Sequence, residues 1–421
     1  MHSRSVLLNG VTYIRPANPV VVVCIDGGDP AYIEQGLRDG IIPNIARFMR
    51  DGYNAIADGT VPSFTCPNNM SLITGAPPAV HGISGNYYLD LATGEAVVMT
   101  GPELLRSRTI LAEFADAGAK VVSITAKDKL RKQLGKDLDL ARGNISFSSE
   151  LADQCTLREN GIEKVLELVG MPLPDMYSME LSLFVLEAGV SLLARGRPDL
   201  MFLSLTDYIQ HKHAPGDPVA NEFYRRIDAA FGRLADLGAT VALTADHGMN
   251  DKSTPEGKPN VIYLQDILDR QFGKGDTRVI CPITDAFVKH HGALGGFVRV
   301  WCLGRRATPQ SVIDLIKDMP GIAAALDREE VCRRFELPPD REGDVAVIGD
   351  VNTVIGAAAA EHDLSALADA RLRSHGAVTE ARVPFILSRP LNETYRRRAA
   401  AAPIKSHQIF DYAINGVEAG Q

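Results

Sequence analysis

The 421-residue chain has no apolar run near the roughly 18 residues that a membrane-spanning helix needs. Its longest, residues 20–25 and 354–360, are the size of a strand or a short core helix. Cysteine is sparse and unpaired in spacing: Cys24, Cys66, Cys155, Cys281, Cys302 and Cys332 form no CxxC pattern. This excludes a disulfide framework and a thiolate zinc site. Basic charge is also short, with 44 Lys and Arg against 52 Asp and Glu and a net charge of -8. Nucleic acids and anionic membranes, which are bound through Lys/Arg fields, are therefore not expected partners. Aromatics are few, at 6% with a single Trp. The first residues, Met1-His2-Ser3-Arg4, lead into a short apolar stretch broken by Asn9 and Gly10. That is not a secretory pattern, so the cytoplasm is the expected location.

What is present reads as an ordinary globular protein, 45% hydrophobic and 23% charged, long enough for two or three core-sized units. Val20-Val21-Val22-Val23-Cys24-Ile25 is apolar throughout, as in a strand buried on both faces of a parallel sheet. Similar runs occur at 121–125, 200–205 and 241–244, with helix-sized segments at 45–50, 110–117, 181–194 and 221–235 between them. This βαβ rhythm predicts an α/β fold with a doubly wound, mostly parallel sheet, whose ligands bind at the carboxyl ends of its strands. After Asp246-His247-Gly248 the texture changes to glycine-rich turns, an exposed-looking strand at 297–302 and a Pro-Pro turn at 338–339. Residues 251–366 are accordingly expected to form a smaller inserted α+β cap. The core would comprise 1–250 and, from the segment containing the apolar run 383–387, 367–421.

Metal-ligand residue types gather at four places next to predicted strands. Asp26 follows the first strand; Asp207 and His211 follow 200–205; Asp246 and His247 follow 241–244; and His375 lies in Ser374-His375-Gly376 before the last. Each alone is equally a cap or a turn former. Four together favour a metal site, and mixed imidazole and carboxylate donors suit zinc, with manganese or iron as substitutes. The spacing of Asp207 and His211 is i,i+4, so one helical turn would put both on one face. His213 is an alternative in the same loop.

A fifth element is Pro62-Ser63-Phe64-Thr65-Cys66-Pro67-Asn68-Asn69-Met70, ending at Thr74-Gly75. Pro67 suits an early helical position and Gly75 a helix stop, which puts Thr65 at a helix N-terminus where the dipole favours an anion. Thr65 is then either a plain cap or, beside a metal, a nucleophile whose hydroxyl is made acidic. Cys66 is the rival nucleophile.

Together these pieces resemble the alkaline phosphatase superfamily, and within it the phosphonoacetate hydrolases near the nucleotide pyrophosphatase/phosphodiesterase branch. The likeness spans nearly the whole chain. It rests on Cys24-Ile25-Asp26-Gly27, Pro62-Ser63-Phe64-Thr65-x-Pro67-Asn68-Asn69, His81-Gly82-Ile83-x-Gly85-Asn86, Thr206-Asp207-Tyr208-x-x-His211, Thr244-Ala245-Asp246-His247-Gly248-Met249 and Ser374-His375-Gly376. The resemblance implies two zinc ions, one on Asp207, His211 and His375, the other on Asp26, Asp246, His247 and the Thr65 oxygen. It further implies in-line attack by Thr65, a phospho-threonine that water hydrolyses, and Asn86 as a donor to a phosphoryl oxygen. From local sequence alone Asn86 is as readily a turn residue.

Releasing acetate from phosphorus leaves a carbanion, tolerable only when its charge spreads into the adjacent carboxylate, so positive charge is expected around that carboxylate. Lys127 and Lys129 follow the strand at 121–125 and, if extended, would point the same way. They resemble the carboxylate-binding lysines of the phosphonoacetate hydrolases; otherwise, with Arg131 and Lys132, they are a solvated basic helix start. Lys289-His290-His291-Gly292 is a second candidate, with His291 a substrate contact, part of a further metal site, or a turn. The expected partner is a small phosphonate, and a homodimer is compatible with the sequence. The rival activities are nucleotide phosphodiester or pyrophosphate hydrolysis and phosphomonoester hydrolysis at the same two metals. The first wants an aromatic slot for a base, for which only Trp301 and the pair Tyr87-Tyr88 are at hand. A phosphoglycerate mutase of the same superfamily would usually offer serine in place of Thr65, and a non-catalytic relative would have no reason to keep Thr65 beside every ligand.

Overall fold

The computed structural model describes residues 5–99, 101–284, 292–365 and 371–418. The strands that set the architecture are β1 (Val20–Cys24), β2 (Tyr53–Asp58), β3 (Val121–Thr125), β4 (Ile145–Ser148), β5 (Leu200–Ser204), β6 (Thr240–Thr244), β7 (Thr277–Ile280), β8 (Phe297–Cys302), β9 (Ile322–Asp327), β10 (Val345–Gly349) and β11 (Arg382–Leu387). The helices that matter are α1 (Pro30–Arg38), α2 (Pro43–Asp51), α3 (Thr65–Thr74), α4 (Pro78–His81), α5 (Ile110–Asp116), α6 (Asp128–Leu134), α7 (Glu180–Gly196), α8 (Tyr208–Lys212) and α9 (Pro218–Asp236).

A seven-stranded central sheet runs in the order β2-β11-β6-β1-β5-β3-β4. Strands β6, β1, β5, β3 and β4 pair in parallel; β11 runs against both of its neighbours. The unbroken valines of β1 show why. Val20, Val22 and Cys24 pack into one core with Met70, Leu72 and Ile73 of α3 and Phe114 of α5. Val21 and Val23 point the other way, into a core with Phe48 of α2, Phe184 of α7 and Phe223 and Ile227 of α9. A strand whose side chains alternate between two cores must be apolar at every position. Each such side chain contributes roughly 1.5–3 kcal/mol when fully buried. Local signals agree with this packing: the Asp217 carboxylate accepts from Val219 N to start α9, and Thr109 accepts from Ala112 N to start α5.

The doubly wound α/β fold expected from the sequence is therefore the one observed. A second, four-stranded antiparallel sheet, β7-β8-β10-β9, lies within residues 277–349. The segment at 297–302 needs correcting. It was expected to be exposed, yet β8 is buried from Phe297 to Trp301 between β7 and β10. Arg299, in the middle of that strand, is fully buried against Glu342.

Candidate metal centre and nucleophile

Parallel pairing brings the carboxyl ends of β6, β1, β5 and β3 to one edge, and four candidate segments leave the sheet there. Asp26 follows β1, Asp207 follows β5, Asp246 and His247 follow β6, and Lys127 follows β3. His375 precedes its strand in sequence, but β11 runs antiparallel, so its start lies at this same edge. Ser374 and Arg373 pair with Asn250 and Asp251, just beyond Asp246-His247. Gly376 closes the approach, since a Cβ there would stand 2.4 Å from the Phe64 ring.

Among the described residues two clusters emerge, Asp207 with His211 and His375, and Asp26 with Asp246 and His247. Within each, the ligand-type atoms lie within 4.8 Å of one another and every residue is buried. His211 Nε2 is 2.9 Å from Asp207 Oδ2, as the single turn of α8 requires, and His375 Nε2 is 3.9 Å from the same oxygen. His247 Nε2 is 3.3 Å from Asp26 Oδ1 and 3.6 Å from Asp246 Oδ2. The clusters adjoin: the rings of His247 and His375 stack with centroids 3.5 Å apart.

The histidines are oriented in one manner. Nδ1 of His211 meets the Arg373 carbonyl at 2.7 Å, that of His247 the Gly248 carbonyl at 2.9 Å, and that of His375 the Ser63 carbonyl at 2.7 Å. Each Nδ1–H thus donates to a backbone oxygen and leaves Nε2 facing the carboxylates, an arrangement typical of metal-binding histidine. Asp26 Oδ1 is buried with no hydrogen-bond partner among the described residues. Burial, then the Asp26 carboxylate, drives the Asp246 carboxyl well above the usual range. Burial alone would lower His247, but Asp246, Asp26 and Asp207 outweigh it and hold it up at about 10. Burial, then the charges of His247 and His211, pushes His375 well below its ordinary value. So much negative charge packed around imidazole nitrogens fits two divalent cations.

Thr65 is the first residue of α3, with Phe64 as a cap that offers no side chain, and Gly75 ends the helix at φ 62. From Val61 to Thr74 every residue except Thr65 is buried. Thr65 Oγ1 lies 3.3 Å from His247 Nε2, at the edge of the Asp26 cluster. Cys66 faces inward and belongs to the core beneath β1, so it does not share this opening. His213 pairs with Asp217 at 3.1 Å, away from either cluster.

Two groups around the site were not singled out from sequence. Asn69, one turn along α3, donates to the Thr65 carbonyl at 3.0 Å and to Asp246 Oδ2 at 3.3 Å, while its Oδ1 accepts from Ser204 Oγ of β5. Asn68 receives Thr60 N and donates to the Thr60 and Phe64 carbonyls, which fixes the turn that delivers Thr65. Both sit in the Pro67-Asn68-Asn69 stretch; buried asparagines in a helix interior, where their propensity is poor, were the available signal.

The remaining candidates divide. Asn86 is 6% exposed and leads into the strand Tyr87–Asp90; its Nδ2 donates to the Ile283 carbonyl at 3.2 Å, and its Oδ1 has no partner among the described residues. Lys127 is half-buried and extended at φ -106, ψ 135, at the end of β3. Lys129 corrects the expectation of an extended pair. Helix α6 begins at Asp128, so Lys129 is its second residue and the two lysines do not alternate on a strand. Asp128 and Glu150 explain this start: Asp128 N donates to Glu150 Oε2, and Arg131 Nε meets Asp128 Oδ1 at 2.6 Å. His290 and His291 lie outside the described residues. No helix of the described chain is long and apolar enough to cross a membrane.

The family model of type I phosphodiesterase / nucleotide pyrophosphatase matches residues 20–376. The phosphonoacetate hydrolase of Sinorhizobium meliloti, solved with phosphonoacetate and with phosphonoformate, is 46% identical, with 99% of both chains covered and a TM-score of 0.93. Murine ectonucleotide pyrophosphatase / phosphodiesterase 5, solved with AMP, is 16% identical over 96% of each chain, with a TM-score of 0.62, a likeness of fold alone. An uncharacterized pyrophosphatase/phosphodiesterase of Schizosaccharomyces pombe is 23% identical over 265 residues, 59% of this chain and 48% of its own. The chain therefore spans about half the length of that curated relative.

Proposed function

The chain belongs to the type I phosphodiesterase / nucleotide pyrophosphatase family of the alkaline phosphatase superfamily, and from that premise we propose that it hydrolyses the carbon–phosphorus bond of phosphonoacetate to acetate and phosphate. The observation that carries this reading is Thr65, the one accessible residue of its turn and helix, placed at a helix N-terminus against the Asp26, Asp246 and His247 cluster. The full-length likeness to a hydrolase solved with phosphonoacetate supports the choice of substrate.

Asp207, His211 and His375 would hold one zinc ion, and Asp26, Asp246, His247 and the Thr65 oxygen the other. When bound, the pair supplies positive charge that acidifies the Thr65 hydroxyl and balances the phosphoryl oxygens. Thr65 gives up its proton to water and its Oγ1 attacks phosphorus opposite the methylene carbon, forming phospho-threonine as the C–P bond breaks; the proton released there balances the one that the leaving carbon takes up. The bonding electrons pass to that carbon, spread into the carboxylate, and are captured by a proton from water, giving acetate. A second water attacks the phospho-threonine, frees phosphate and restores the hydroxyl. Asn69 keeps Thr65 and Asp246 in register; the N-terminal amides of α3 and the second Nδ2 hydrogen of Asn86 would donate to the phosphoryl oxygens, and Lys127 would meet the carboxylate end of the substrate. Trp301, 1% exposed and packed with Leu89 and Ile280, is not available to stack a nucleotide base. Six cysteines without a disulfide suit the cytoplasm.

Phosphate release from phosphonoacetate, phosphonopyruvate, phosphonoethylamine, a nucleotide diester and a phosphomonoester, assayed side by side with zinc-loaded protein, tests the assignment. Phosphonoacetate is expected to give the highest kcat/KM. A nucleotide diester in that place would overturn the substrate while leaving the chemistry of Thr65 intact.

A further inference from the structure

The loop from Gly82 to Asn86 carries the candidate phosphoryl donor; besides local bonds to Pro78, His81 and Met99, it is held by the second sheet and the segments that flank it. Arg341 Nη1 donates to the Gly82 carbonyl at 2.5 Å. Arg299 Nη2, on β8, donates to the Ser84 carbonyl at 2.8 Å. Asn86 N donates to the Pro282 carbonyl at 2.9 Å and Asn86 Nδ2 to that of Ile283 at 3.2 Å, both just past β7. The fit is close: a Cβ on Gly85 would lie 2.8 Å from Pro282 Cβ and 3.1 Å from Arg299 Nη1.

Arg299 is the unusual member. Its side chain is fully buried in a sheet of valines and alanines, and both Glu342 oxygens receive its Nε and Nη2. Burial raises the Glu342 carboxyl, and the guanidinium opposes that rise. A buried ion pair adds little stability over well-packed apolar residues of similar volume, so this one is better accounted for by what it orients. A fixed, planar guanidinium can hold Glu342 and the Ser84 carbonyl together; an ammonium point charge cannot reproduce that fork.

We propose that Arg299, held in place by Glu342, is a positioning residue that fixes the Ser84 carbonyl and, through it, the aim of Asn86 at the phosphoryl group. The second sheet is thus a built-in part of the phosphoryl site as well as a neighbour of it. The proposal rests on the reading of Asn86 as a phosphoryl donor.

A double-mutant cycle tests it. Arg299→Met with Glu342→Leu removes both charges together, so that no unpaired charge is left in the apolar core. Asn86→Ala is expected to lower kcat/KM on phosphonoacetate about a hundredfold. The Arg299/Glu342 pair should cost a comparable factor, since small misplacements of a reacting group are that costly. Zinc content and Tm should stay close to wild type. Combining all three substitutions should be no worse than Asn86→Ala alone. A fully active Arg299/Glu342 variant, or a combined loss equal to the product of the separate losses, overturns the proposal. A fully active Asn86→Ala protein instead overturns the role of Asn86, and the proposal with it, without touching Thr65. If the paired substitution does not fold, Arg299→Lys, which keeps the charge but not the fork, is carried through the same cycle with the same outcomes.

Discussion

At the scale of single residues the account turns on what each side chain can reach. Thr65→Ala removes the attacking oxygen but leaves Asp26, Asp246, His247 and Asn69 in place. Phosphonoacetate turnover should fall by at least about a thousandfold, with zinc content, read by elemental analysis, nearly unchanged. Residual turnover within tenfold of wild type would mean that another group attacks. Lys127→Ala should lower kcat/KM on phosphonoacetate at least about tenfold more than on an aryl phosphate monoester, which has no carboxylate for it to meet. Equal losses on both would show that Lys127 does not read the carboxylate. Asp26 and the Asp246-His247 pair of the candidate site were legible because each comes just after a fully apolar strand, which places it at the sheet's edge. Asn69 and Arg299 were not, because their partners, Asp246 and Glu342, lie far away in sequence and a lone asparagine or arginine reads as surface. Lys129 was misread for a local reason: Asp128 and Glu150 begin a helix where an extended run was expected.

At the scale of elements, strands filled with β-branched residues and helices ending at glycine were readable, while β2 and β4 were not singled out. Tyr53–Asp58 alternates half-buried and exposed positions beside β11, with only Ala57 buried, so it lacks the unbroken apolar signal of β1. Ile145–Ser148 contains two serines. The short helix α4 makes a separate prediction. His81 is fully buried; its Nδ1 accepts from Ile83 N, and Nε2 meets Ser71 Oγ of α3 at 2.9 Å, which in turn contacts Thr60. Burial, then the charges of His407 and Arg341, pushes its pKa down to about 3. Between about pH 6.5 and pH 3 the unfolded chain therefore binds a proton that the native state refuses, so stability falls as the pH drops through this window. Going from pH 8 to pH 5 this histidine should cost about 2 kcal/mol. Urea unfolding at both values should show His81→Gln losing about that much less than wild type over the interval; identical losses would contradict it.

At the scale of the whole molecule, the central sheet supplies an edge where separate segments converge, and the antiparallel β11 lets the His375 segment join it from the other direction. The second sheet reaches across to the Gly82–Asn86 loop, an arrangement that follows from a buried Arg–Glu pair rather than from any periodicity in the sequence. Fold class, and the edge where the candidate clusters gather, were therefore visible in the alternation of strands and helices. The joining of the two sheets was not, since it depends on polar contacts across some two hundred residues, as between Ser84 and Arg299. The most direct test of the molecule as a two-metal enzyme is to strip the protein with a chelator and titrate zinc back while following phosphate release from phosphonoacetate. Release should be absent from the stripped protein, rise with added zinc, and level off at two ions per chain. Undiminished release after exhaustive chelation, or none at saturating zinc, would contradict the account.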